Sequence, residues 1–426
     1  MPPGDPESAH SVNGHGAARV RRYLAAFLVA VLLLERLAIP LGTQQVPLIV
    51  PVALVIVAIA YARGALVIDN FRAPLTVVIA LTAFVCTIVQ VATGLVPSLL
   101  AIVLLVLLYL PALFRSTGNA GDAAAIGRLY LSIMTIAAIV SVLQLVLQYV
   151  RIPNTDLLAD VVPHQFLLNG FHQRDPISYG SPLRRSNAYV FLEPSFLSLF
   201  LGTAVLVAVR AGAGWLRILI LLAGMVPTLA GNGFVILIPG LVVILWGSQR
   251  RNLLSLLPGL VIAVVAAAAT PLGALYLGRS TEASNAKTSS SFRFVQPYES
   301  LLRPSFDSPF HTLFGHGSGS AGNFLSSAGL GEVTQPPLPK VIYEYGVLGG
   351  VGILAVLVII VFVGVRHHPW LAGIIPSFFF INASLLLATL VYFTLFWLAL
   401  VPRDVQASRR VAARPPGELY WLKNFW

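Results

Sequence analysis

The chain has 426 residues, 57% of them hydrophobic and 10% charged, with a formal net charge of +11 and a mean hydropathy of +0.85. A soluble protein carries about 25% charged residues, so an ordinary soluble globule is excluded, and apolar stretches of about 20 residues recur where a β-barrel would show short alternating segments. Nucleic-acid binding is excluded as well, because most of the 27 Lys and Arg fall in short segments between apolar stretches, where they orient helices instead of forming a basic face.

Residues 1–20 are rich in Gly, Pro, Ser and His and read as a disordered cytoplasmic tail, with His10 and His15 inert. Spans are then expected at 22–40, 46–62, 74–92, 95–114 and 124–150. The first apolar segment runs past Glu35 and Arg36 into a second span, so it does not read as a cleavable signal peptide. Glu35 and Arg36 are adjacent and point about 100° apart on a helix, so no mutual role is assigned to them. A polar stretch at 151–187 follows, then spans at 188–209, 214–230, 233–247 and 253–277. A second polar stretch at 278–339 precedes a span at 340–365 and a final apolar block at 371–401.

Arg19, Arg21 and Arg22 place the N-terminus in the cytoplasm, and Arg63, Arg72, Arg115, Arg128, Arg210, Arg217, Arg250, Arg251 and Arg366 recur at alternate connections. The basic tail at 403–426 requires an even number of spans. The expected fold is therefore all-α, a polytopic bundle over 21–402 of about twelve membrane helices, the last two short and meeting near Asn382; about eleven is the alternative. Both polar stretches then lie on the extracytoplasmic side. The single cysteine, Cys86, sits within a predicted helix, which leaves no intrachain disulfide and no zinc-ligand spacing. No internal repeat and no matching pair of broken helices marks a transporter.

Three constellations carry chemistry. Arg184-Arg185-Ser186-Asn187 leads to Glu193-Pro194-Ser195, and proline suits the first turn of a helix. An anion such as a diphosphate would fit between the guanidinium forks and that helix N-terminus. Glu193 either serves chemistry or simply caps the helix. In the second polar stretch, Ser289-Ser290-Ser291-Phe292-Arg293, Arg303 and the run from His311 to Gly319 hold anion contacts and a histidine, His316, able to act as a base. Gly315, Gly317, Gly319 and Gly322 permit a tight backbone close to a ligand, or a nest of N–H groups. Gly317 to Gly322 matches G-x-G-x-x-G, but no preceding strand supports a dinucleotide site. Third, Lys340 and Glu344 share a helix face at the start of the span that begins at 340, and either pair structurally or contact substrate.

Together, Glu193-Pro194-Ser195 after an arginine-rich loop, Ser289-x-x-Phe292-Arg293, Gly315-His316-Gly317-x-Gly319 and Tyr343-Glu344-Tyr345-Gly346-x-Leu348-Gly349 resemble the O-antigen ligase/O-antigen polymerase family of bacterial surface-polysaccharide enzymes. The resemblance covers about residues 180–365 and rests on short, degenerate motifs in a characteristic order. It implies a metal-independent glycosyltransferase of the bacterial inner membrane, without cofactor, whose site faces the periplasm or cell exterior. The implied donor is an undecaprenyl-diphosphate-linked oligosaccharide, with Arg185 or Arg184 and Arg293 on the diphosphate; Arg303 and Lys340, from their places in the constellations above, are further candidate substrate contacts. Implied partners are the lipid bilayer and the chain-length regulator and flippase of the same pathway. Where many family members carry a histidine-asparagine pair, this chain has Pro339-Lys340, which leaves the base open among His316, Glu193, Glu344 and departure of the proton through water.

Within the family, the missing histidine and the modest second loop favour a polymerase over a ligase that transfers glycan to the lipid A core. Two further classes stand beside it. A transporter or flippase of lipid-linked sugars is disfavoured because the charges cluster at one face and not mid-span. A non-catalytic scaffold predicts that Arg185→Ala and Arg293→Ala leave the polymer unchanged.

Overall fold

The computed structural model describes residues 6–42, 44–152, 154–171, 176–177, 181–246, 291–292, 295–331, 333–381 and 386–402. The expected span at 253–277, Asn382, Arg293 and the tail at 403–426 lie outside them. The described chain is mostly helical. Its helices are α1 (Pro6–Leu33), α2 (Ile49–Ala62), α3 (Arg72–Ala92), α4 (Leu99–Tyr109), α5 (Ala120–Tyr149), the short α6 (Leu157–Val161), α7 (Pro194–Arg210), α8 (Trp215–Met225), α9 (Asn232–Trp246), α10 (Pro309–Phe314), α11 (Ser320–Ser327), α12 (Pro337–His367) and α13 (Ala388–Leu395).

Three of these are long and apolar enough to cross a membrane: α3, α5 and α12. Shorter apolar helices of 10–17 residues include α2, α7 and α9, and the two last blocks, Pro369–Phe380 and Ala388–Leu400.

Helix ends follow local chemistry. At the start of α5, the Asn119 side chain accepts from the Gly121 and Asp122 N–H groups, and Asp122 accepts the Asn119 N–H at 3.0 Å, a reciprocal capping box. Ser98 caps α4 through the Ala101 N–H. Helix α7 opens on Pro194, as the sequence predicts, and is buried along nearly its whole length, which its all-round apolar composition allows.

The first span departs from expectation at both ends. Helix α1 starts at Pro6, so helical backbone replaces most of the expected unstructured tail; once the apolar half is formed, each added residue gains a backbone bond cheaply. It stops at Leu33, well short of residue 40, and Pro40, which has no N–H to donate to a helix, lies in the short strand that follows. Residues Ala38–Leu41 pair antiparallel with Gln44–Pro47 instead, Ala38 opposite Pro47. A second small ribbon joins Leu66–Ile68 to Phe114–Ser116.

Polar contacts fix the two ends of the bundle. At one end, Arg21 pairs with Asp122 at 3.1 Å, Arg19 donates to the Arg63 carbonyl, and Arg72 pairs with Asp69 while donating to the Phe114 and Ala399 carbonyls. The Arg19–Arg21 turn of α1 and the N-termini of α3 and α5 therefore lie together with the arginines. Their C-termini lie at the opposite end, beside the N-termini of α7 and α12 and the two polar stretches.

Candidate active site

The first polar stretch is pinned to the last turns of α5. Gln144 and Gln148, one turn apart, share a helix face. Gln144 accepts the Ser186 hydroxyl at 2.5 Å and donates to Asn154 and Asn187, while Gln148 accepts the Arg184 N–H at 2.6 Å and donates to the Arg184 carbonyl at 3.1 Å. Arg184 is exposed; Arg185 is half-buried, its Nε donating to the Pro176 carbonyl at 3.1 Å.

Next, Ala188 and Tyr189 both take left-handed backbone, φ 49° and 61°. That costs non-glycine residues about 1–3 kcal/mol each, and it persists because Asn187 holds both sides of the turn: its amide donates to the Phe191 carbonyl and its Oδ1 accepts the Tyr189 N–H. The chain thereby reverses into Glu193, which stands half-buried at the N-cap of α7. Its carboxylate accepts the Ser195 hydroxyl at 3.0 Å, and does not cap the helix through a backbone N–H.

Glu35 and Arg36, assigned no role from sequence, brace this turn. Both are wholly buried, 0% exposed. Arg36 donates to Asp156 at 2.5 Å and to the Tyr189 carbonyl at 2.7 Å, and Glu35 accepts the Leu192 N–H at 2.7 Å. The buried ion pair and these two bonds tie the end of α1 to the approach into α7.

The second cluster forms where the glycine-rich run meets α12. The His316 N–H donates to the Tyr343 carbonyl at 2.9 Å and the Gly317 N–H to the Glu344 carbonyl at 3.2 Å. The His316 ring lies between His311 (centroids 4.1 Å apart) and Tyr343 (4.3 Å, planes 3° apart). Burial, and after it the neighbouring His311, push the His316 imidazole below the usual histidine range. It is therefore neutral near pH 7, the form that can accept a proton. Its Nδ1 is buried without a hydrogen-bond partner.

Backbone meets backbone here, and that demands glycine. Gly315 (φ 77°, ψ −172°) and Gly346 (φ 65°, ψ −172°) occupy a region open essentially to glycine alone. A Cβ on Gly315 would stand 2.5 Å from the Glu344 carbonyl, and one on Gly346 would collide with the Leu313 carbonyl. The close neighbour of Gly315 is therefore α12 itself. Gly346 also kinks α12.

Lys340 and Glu344 pair at 2.8 Å, both buried (6% and 1% exposed), and the Lys340 ammonium also reaches Gln335 at 2.6 Å. Sequence reasoning missed Gln90 in α3. Its amide donates to the Phe314 carbonyl at 2.5 Å and the Glu344 carbonyl at 2.8 Å, stapling both partners of the glycine contact. A lone Gln in an apolar helix was the available signal, since it must find partners there.

His316, Lys340 and Glu344 are thus brought together. Arg184, Arg185 and Glu193 lie along one segment that turns into α7. Arg303 is exposed between the turns Tyr298–Leu302 and Pro304–Phe306. Arg293 lies outside the described residues. No group of three or more metal-ligating side chains occurs among the described residues.

Fold and site define a mostly helical protein with helices able to cross a membrane and a polar, charge-bearing end. No family model matches the chain, and no curated protein matches it.

Proposed function

We propose that the protein is a membrane glycosyltransferase that polymerises undecaprenyl-diphosphate-linked oligosaccharide repeat units into surface polysaccharide at the outer face of a bacterial inner membrane. The observation that carries this reading is the gathering of both polar stretches at one end of the helices. Arg184 and Arg185 belong to one, with Glu193 following at the start of α7; His316 belongs to the other, with Glu344 following in the first turns of α12; the basic residues Arg19, Arg21, Arg63 and Arg72 stand at the opposite end. With the arginine-rich end cytoplasmic, the bundle of about twelve spans turns its chemistry outward.

In this reading an acceptor sugar hydroxyl attacks the anomeric carbon of the lipid-linked donor. The new C–O bond forms as the bond to the diphosphate breaks, and the lipid diphosphate leaves with the electron pair. Arg185 and Arg293 neutralise the charge that develops there. The hydroxyl proton passes to a base. Of the three candidates, His316 is neutral and half-buried, whereas Glu344 is wholly buried against Lys340 and Glu193 is bonded to Ser195. His316 is the base this arrangement favours.

Two tests follow. Arg293→Lys replaces a bidentate fork by a point charge and is expected to lose most activity with no loss of membrane-inserted protein; full activity would remove the diphosphate role. In a deletion strain, single lipid-linked repeat units accumulate if the protein is the polymerase. Long unattached chains would make it a ligase, and an unchanged glycan profile would leave it outside this chemistry.

A further inference from the structure

Glu35 is buried without exposure just beyond the end of α1. One carboxyl oxygen accepts the Leu192 N–H at 2.7 Å; the other is buried without a hydrogen-bond partner. The adjacent Arg36 does not relieve it, because that guanidinium is directed to Asp156 and the Tyr189 carbonyl. Leu192 is the residue before Glu193, and the strained pair Ala188 and Tyr189 lies just upstream. With the turn held at Tyr189 by Arg36 and at Leu192 by Glu35, the backbone leading into Glu193 is fixed at two points before α7 begins.

We propose that Glu35 is a positioning residue for Glu193, holding the Leu192–Glu193 junction in place through the Leu192 N–H. The inference rests on the reading of Glu193 as part of the site. Its burial favours the acid form over the carboxylate. Burial raises its carboxyl well above the usual glutamate range, the Leu192 N–H and Arg36 oppose that only in part, and the Glu193 carboxylate adds to it. The charged groups around it are Arg36 on its own turn, Asp156 from the polar stretch behind Arg36, and Glu193 ahead of α7.

The sign of the pH effect follows. A folded-state value above the unfolded one gives stability that is complete at low pH and declines as pH rises toward the folded value. Glutamine keeps the acceptor oxygen and cannot ionise.

The experiment compares the full-length parent, Glu35→Gln and Glu35→Ala in detergent, by melting temperature from pH 5 to 8.5 and by transfer kinetics over the same range. Glu35→Gln should melt above the parent by a margin that widens as pH rises. Glu35→Ala should lower kcat about tenfold with KM unchanged, the scale of one lost buried hydrogen bond. Glu35→Gln should rescue most of that loss and shift the alkaline decline of kcat upward. Parallel melting curves for Glu35→Gln and the parent would show that folding does not raise the Glu35 carboxyl, and would overturn that part of the proposal. Equal kcat losses in both variants, or a change confined to stability, would overturn the positioning role. If the parent shows no transfer at all, the glycosyltransferase reading fails by itself, and the melting curves still decide the state of Glu35.

Discussion

Replacing Lys340 by Met is expected to cost the protein about 3–5 kcal/mol, because it leaves the Glu344 carboxylate buried with no counter-charge. Glu344 is 1% exposed and its ion pair with Lys340 measures 2.8 Å. Gln335, the other partner of the ammonium, would lose its donor as well. The control is Lys340→Met combined with Glu344→Leu. Exchanging a whole buried pair for apolar side chains is often neutral or stabilising, so the double variant should melt close to the parent while the single variant collapses. Melting curves in detergent check this. A single variant as stable as the parent would show that the pair is not sealed from water.

The second large effect is expected at Gly346. Alanine there carries two penalties: backbone at φ 65° and ψ −172°, and a Cβ driven into the Leu313 carbonyl. The first alone costs about 1–3 kcal/mol. The second is relieved only by moving the glycine-rich run away from α12, which breaks the His316 N–H bond to Tyr343 and the Gly317 N–H bond to Glu344. Gly346→Ala should therefore lose activity more steeply than stability, since α12 survives while His316 is displaced. Gly329→Ala serves as comparison. That glycine also has positive φ, 72°, but open space around it, so it should pay only the backbone cost. Equal activity in the two variants would contradict the contact's importance.

What could be read from the sequence divides by the range of the interaction. Pro194 announced the start of α7 because a first-turn proline acts locally. Asn119 and Asp122 give an equally local signal, yet hydropathy starts α5 only at 124, because it rises after the cap. The apolar run of the first span extends to 40, although Pro40 argues against helix there. Lys340 and Glu344, four residues apart, were placed on one face and do pair.

Long-range partners stayed hidden. Glu35 and Arg36, two charges in an apolar segment, must pair elsewhere or snorkel, but the sequence does not say with what. Leu192, Tyr189 and Asp156 meet them only after more than a hundred intervening residues have folded. Gln90 likewise depends on the Phe314 and Glu344 carbonyls. The glycines at 315 and 346 were noted separately, and nothing in either motif says that each exists to admit the other's backbone.

The most direct measurement gives the purified, detergent-solubilised protein a short oligosaccharide on undecaprenyl diphosphate, with a chelator present. The account predicts longer lipid-linked chains together with free lipid diphosphate, in equal numbers of bonds made and broken, and loss of both in Arg185→Ala. An intact donor after incubation with folded protein, or elongation that the Arg185 variant sustains in full, would contradict it.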